Sequence, residues 1–322
     1  MKNIVAITLI ISFFVNFLYG KWIQTPCDTQ GSDCTLTQDN LTDRGMTNEP
    51  NQNNTIDSLT INQNVILNNR QVNKDFEALI TVNSNSPTQI NTIKITNNGT
   101  IGYNIKGNFP YSIRNFQAEN NNLESQIDTL INNGTINGNV VNYTTIKDFQ
   151  NNGALKMAII NPGTIQKLTH VYNSPITVEG IGNDLNKFPK QVINLILGNN
   201  TTINFKDTYL TQVPTFQGTG TIGGNSLTFK FNDADSDITN NNTSKYQLNL
   251  TNQGNIRTLT NSIAYNYNFV NDTTGTITTF NNSATFQSFT NKNTVSTLTN
   301  QTNGSIQQLT NQGTLTTLTN QT

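Results

Sequence analysis

The sequence predicts an all-β fold, a parallel β-helix or β-solenoid built from strand–turn units of 9–10 residues. Three observations predict it. Apolar residues recur at fixed steps, Asn-Gly and related turn formers fall between them, and β-branched and aromatic residues fill the strands.

The recurrence is plainest over residues 127–168. Ile127, Ile136, Ile146, Leu155 and Ile165 follow one another at steps of 9, 10, 9 and 10 residues. Ile127/Leu130, Ile146/Phe149 and Ile165/Leu168 are apolar pairs spaced i, i+3, and "INNGT", "QNNGA" and "INPGT" divide the units. The C-terminal third repeats the device with Ile256/Leu259, Ile277/Phe280, Phe286/Phe289, Val295/Leu298, Ile306/Leu309 and Leu315/Leu318. From Ile277 onward these lead anchors step by 9, 9, 11 and 9.

Each unit reads as a strand of about five residues and a turn of about four, in which Asn-Gly is expected to supply positive φ. One unit cannot bury its few apolar groups, so the units must stack into a continuous column. The i, i+3 spacing is not strict alternation. Both anchors face inward only if a bend or bulge lies between them. Two units per coil, about 19 residues, is the first choice, and three per coil, about 28, is the other. A helix fails because Thr, Asn-Gly and β-branched residues disfavour it in every unit. Stacked Asn side chains can form amide ladders along such a coil, which accounts for their abundance without catalysis.

Two stretches depart from the pattern. Residues 21–55 are polar and read as an irregular N-terminal cap holding the only two cysteines, Cys27 and Cys34. A Cys pair around DTQGSD in an exported chain reads as a small disulfide loop. Residues 56–175 are solenoid, 176–245 a less regular β region, and 246–322 solenoid repeats with an open C-terminal end. In 176–245, "TINF", "GTGTIGG" and "LTFKF" still alternate strand and Gly-rich turn, which favours longer strands of one solenoid over an inserted loop.

Residues 1–20 read as a signal peptide: basic Met1-Lys2-Asn3, an apolar run over 4–17, and Leu18-Tyr19-Gly20 before Lys21. Cys27 does not follow the cut, which argues against a lipoprotein. With 18 basic and 19 acidic side chains the net charge is −1, and no basic cluster invites nucleic acid or an anionic membrane.

Chemistry-bearing motifs are few. The single histidine, His170, follows Leu168-Thr169 at a strand-to-turn position and reads as structural or solvent-exposed. There is no nucleophile elbow and no Walker or Rossmann loop, and "GTGTIGG" lacks the lysine and helix that a phosphate site needs. Asp233, Asp235 and Asp237 alternate as Ca2+ ligands do, and Ca2+ is the one cofactor the sequence suggests. Ile238 and Ser244 stand where an EF-hand wants Gly and Glu, so a solvated polar turn is the plainer reading. No enzyme is expected.

The signal peptide, the sparse charges and the "NNGTI…L" units resemble the passenger domains of Gram-negative autotransporters, most of all the Asn-rich kind of epsilonproteobacteria. The resemblance covers about residues 50–322 and rests on repeat style. It implies a right-handed parallel β-helix exported to the cell surface. Such passengers end in an outer-membrane barrel of alternating, aromatic-flanked strands, whereas this sequence stops at "LTNQGTLTTLTNQT". The implied partner is therefore an outer-membrane translocator acting in trans, or a C-terminal barrel missing from this reading frame. "NPG" at 161–163 is only superficially like the "NPNL" of two-partner secretion.

The function expected is a non-catalytic stalk or adhesin that contacts a host-cell or bacterial surface receptor. The alternatives are a toxin-like passenger resembling the vacuolating-cytotoxin group, and a fragment of a larger autotransporter. A Thr array for ice or carbohydrate ranks third: Thr314/Thr316 and Thr317/Thr319 are Thr-x-Thr, without regular ranks over many coils.

Overall fold

The structure, a computed structural model, describes residues 33–42, 46–48, 57–69, 78–84, 92–102, 111–117, 125–179, 191–206, 208–210, 215–218, 220–224, 226–229, 236–242 and 245–321. Among them every regular element is a strand. The strands form five parallel sheets whose order in space is the order of successive coils. The fold is a β-solenoid, as the repeats require.

The cross-section changes along the stack. In the N-terminal part each coil visits three sheets in turn. The coil at 126–142, for example, supplies Gln126–Asn132 to the first, Thr135–Ile136 to the second and Asn139–Asn142 to the third. The second sheet ends at Ala154–Leu155. A fourth sheet opens at Thr208–Leu210 and a fifth at Asp237–Asn240. From Asn255 onward the chain alternates between the fifth and fourth sheets, in seven-residue strands from Asn255–Asn261 to Thr314–Asn320. Two units then make one coil, the first choice from the sequence. The strands are longer than the five residues expected, and the turns between them run from two residues to the four expected. Strands within 176–245, such as Gln191–Leu197, Thr202–Lys206 and Thr221–Gly224, extend the first and third sheets.

One strand template explains the i, i+3 anchors. In Thr145–Asn151, Thr164–His170, Asn255–Asn261 and Thr276–Asn282 the second, fifth and seventh residues are buried. Register pairs Ile127 with Ile146 and then Thr129 with Asp148, passing over the third residue of both strands, and the same step recurs at the next rung. Every one of these strands is bent at the same place. Parity shifts there, so the second and fifth side chains both enter the core. Ile127, Leu130, Ile146, Phe149, Ile165 and Leu168 are all fully buried. In the C-terminal part the column becomes aromatic: Phe280 lies 5.1 Å from Phe286 and 5.0 Å from Phe289, ring centre to ring centre.

Most strands of the regular repeats end in asparagine, buried in all but the last coils, where Asn311 and Asn320 are exposed. In the first sheet Asn97 Nδ2 donates to Asn132 Oδ1 at 2.9 Å, and Asn132 Nδ2 to Asn151 Oδ1 at 2.8 Å. In the fifth, Asn240, Asn261, Asn282, Asn300 and Asn320 form one chain at 2.8 Å per link. The third sheet links Asn115, Asn142 and Asn161, and the fourth Asn252, Asn271, Asn291 and Asn311. Every link runs from the Nδ2 of one rung to the Oδ1 of the next. The second hydrogen of the same amide turns to a carbonyl of the following turn, as Asn132 does to Ala154 O.

The glycine after the asparagines is there for a different reason from the one expected. Positive φ occurs at Gly102, Gly218 and Gly224, and at Asn64 and Asn200, but not at the Asn-Gly turns of the regular repeats. A Cβ at Gly134 would stand 2.0 Å from Gly99 O, and one at Gly153 2.2 Å from Gly134 O. Stacked turns approach so closely that a side chain has no room, and this, not backbone handedness, selects glycine.

Candidate functional site

Of the candidate residues read from the sequence, Asp237, Cys34 and His170 lie among the described residues. Asp233 and Asp235 lie outside the described residues, as do residues 1–20, read from the sequence as a signal peptide, and Cys27. Asp237 opens the first strand of the fifth sheet, and both its oxygens are engaged by Arg257, with Nε at 2.9 Å from Oδ1 and Nη2 against Oδ2. That guanidinium holds the Asp237 carboxyl below its ordinary pKa. Cys34 is fully buried and disulfide-bonded. His170 is fully buried at the end of its strand, which corrects the solvent-exposed alternative.

Four other ion pairs link neighbouring coils. Lys147 reaches Asp128 at 2.9 Å, Lys167 reaches Asp148 at 3.5 Å, Lys206 reaches Glu179 at 2.5 Å, and Lys292 reaches Asp272 at 3.4 Å. These half-exposed pairs are each worth about 0–1 kcal/mol. These pairs lie on the outer faces of the first and third sheets and in the turns of the C-terminal part. Among the described residues no three of His, Cys, Asp and Glu come together, and no helix is long and apolar enough to cross a membrane.

The feature that repeats on the outside is a threonine face on the fifth sheet. Aligned by their terminal asparagines, its later strands read TITTFNN, TVSTLTN and TLTTLTN. The first, third, fourth and sixth positions are not buried, and all are Thr, Ser or Asn. Register stacks Thr258, Thr279, Thr297 and Thr317 in one column, and Thr260, Asn281, Thr299 and Thr319 in the next. Columns are spaced by about 7 Å along the strand and rungs by about 4.8 Å. Beyond the Asp237–Arg257 pair the strands of this sheet carry no charge. The parallel fourth-sheet strands, TFQSFTN and SIQQLTN, mix Gln and Ser into the same positions.

These ranks are hidden when the units are aligned on their apolar anchors, because successive units alternate between two sheets. Aligning every second unit, by the terminal asparagine, brings Thr over Thr.

Comparison with models of known protein families, with curated proteins and with solved structures finds no match to this chain.

Proposed function

We propose that this protein is an exported, non-catalytic surface module, an adhesin, whose contact surface is the threonine face of the fifth sheet. The observation that carries the reading is an uncharged hydroxyl array repeated rung after rung. Each threonine offers one hydroxyl and one methyl on a stiff χ1, so little rotamer entropy is lost on contact. A single contact is weak, and ranks of them add through effective concentration. With no charge on the face, contact is short-ranged and nearly insensitive to salt. The stack sets the face at the C-terminal end of a rod whose rungs, at about 4.8 Å each, span roughly 60 Å. Passenger-like export through an outer-membrane translocator, and a receptor on a host or bacterial surface rich in hydroxyl groups, complete the proposal.

The test is display of residues 21–322 on bacteria through a supplied barrel. Adhesion to host cells or to sister bacteria should rise, and should persist at high salt. The double change Thr279→Lys/Thr297→Lys should abolish the gain, while Gln308→Lys on the fourth sheet leaves it intact. Display that leaves adhesion unchanged, or equal loss from both variants, sinks the reading.

A further inference from the structure

Every buried amide ladder has one polarity, and in the first sheet the ladder ends on an imidazole. Asn132 Nδ2 donates to Asn151 Oδ1, so the Asn151 amide is oriented with Nδ2 toward the next rung. That next residue is His170, whose Nδ1 lies 3.1 Å from Asn151 Nδ2. The contact requires a lone pair on Nδ1. The hydrogen of the neutral ring is therefore on Nε2, which donates to Ser174 O at 2.9 Å. Both nitrogens are satisfied, and the ring is fully buried.

We propose that His170 is an acid-sensing end-stop: protonation of Nδ1 reverses the only polarity the ladder accepts and loosens the solenoid at this rung. An imidazolium would set N–H against the Asn151 amide hydrogens. Turning the Asn151 amide over does not resolve the conflict, because its hydrogens would then face those of Asn132, and the mismatch would move on to Asn97. The rung on the other side offers no acceptor side chain, since Leu197 is the register partner of His170.

Among the described residues no neighbouring charge rescues the cation. On its own strand Lys167 points outward to Asp148. The preceding strand, Thr145–Asn151, carries Lys147 and Asp148, both outward and paired. The following strand, Gln191–Leu197, has no ionisable residue, and the turn 171–175 has only the exposed Tyr172. Burial is the main cause that pushes the His170 pKa below its ordinary 6.5, outweighing the backbone hydrogen bonds at Ser174 and Asn151, which favour the protonated ring.

The position adds to the effect. The second sheet has ended one coil earlier, and the inner column passes here from amides to Leu197. The rung joins the three-sheeted part to the coils of 176–245, so loosening it makes a hinge.

The sign is set by linkage. The unfolded chain binds the proton more readily than the folded one. Stability is full above 6.5 and falls as pH drops from there toward the folded value. His170 is the only histidine, so no other side chain of ordinary pKa titrates in this window. In the full chain, the ring resonances should titrate with a midpoint below 6.5. The melting temperature should fall between about pH 7 and about pH 5, and hydrogen exchange in peptides covering 145–179 should speed up. His170→Asn keeps an acceptor for Asn151 and cannot be protonated, so it should remove most of that pH dependence. A ring midpoint at or above 6.5, or an unchanged pH dependence in His170→Asn, overturns the proposal. If the variant does not fold, the ring titration and the acid-induced exchange of the unaltered chain decide it.

Discussion

An asparagine at the seventh place of a strand does in this core what an apolar side chain cannot. The next coil presents carbonyls to it just beyond its own asparagine, and a buried carbonyl without a partner costs about 1–3 kcal/mol. Asn132 answers Ala154 O with one amide hydrogen and Asn151 with the other, while its own oxygen accepts from Asn97. The neighbouring Asn133 belongs to a second, exposed row, in which Asn133 Nδ2 donates to Asn98 and Asn152 Nδ2 donates to Asn133. Water replaces those partners at little cost. Asn132→Ala should therefore lower stability by about 1–3 kcal/mol for each buried group it strands, and Asn133→Ala by under about 0.5 kcal/mol. Chemical denaturation of the two variants checks this, and equal losses would show that the inner ladder carries no special weight.

At the scale of the strand, the bend after the second residue turns an unusual sequence pattern into an ordinary core. Ile165 in the first sheet, Phe286 in the fourth and Leu298 in the fifth are buried within a few per cent, whereas Thr317 is exposed. Replacing any of the three with Asp strands a charge among apolar groups and removes roughly 2–5 kcal/mol of packing. Each should lower the melting temperature clearly, and Thr317→Asp should scarcely move it. Similar shifts at all four positions would contradict the inward assignment.

The anchors, the bend and two-unit coils were legible in the sequence, because apolar spacing is set directly by what must be dry. Two things were not. Asn-Gly suggested positive φ, while the real constraint at Gly134 is the carbonyl of Gly99 one coil below, a contact invisible to local reading. The burial of His170 was equally hidden, since it depends on the alignment of that histidine with Asn97, Asn132 and Asn151, at separations of 35, 19 and 19 residues. The candidate surface was half legible: Thr-x-Thr is plain in the last strand, and only the register reveals that it stacks.

For the whole molecule, charge and chemistry divide along the axis. The N-terminal coils carry ion pairs on their outer faces, the strands beyond Arg257 carry no charge, and a continuous core of aliphatic and then aromatic residues joins them. Face, ladder and hinge all depend on one property, the in-register parallel stacking of coils, 19 residues apart from Asn132 to Asn151 and on to His170, and 18–21 apart in the C-terminal part. Cysteine cross-linking with dibromobimane, which fluoresces on bridging two nearby thiols, tests that property directly. Thr279 and Thr297 are register partners on adjacent rungs, about 4.8 Å apart along the axis. Thr279 and Thr299 are offset by two residues, at roughly 8 Å. Thr279→Cys/Thr297→Cys should bridge rapidly within one chain, and Thr279→Cys/Thr299→Cys much more slowly. Equal rates, or faster bridging of the offset pair, would contradict the stacked solenoid and the threonine ranks built on it.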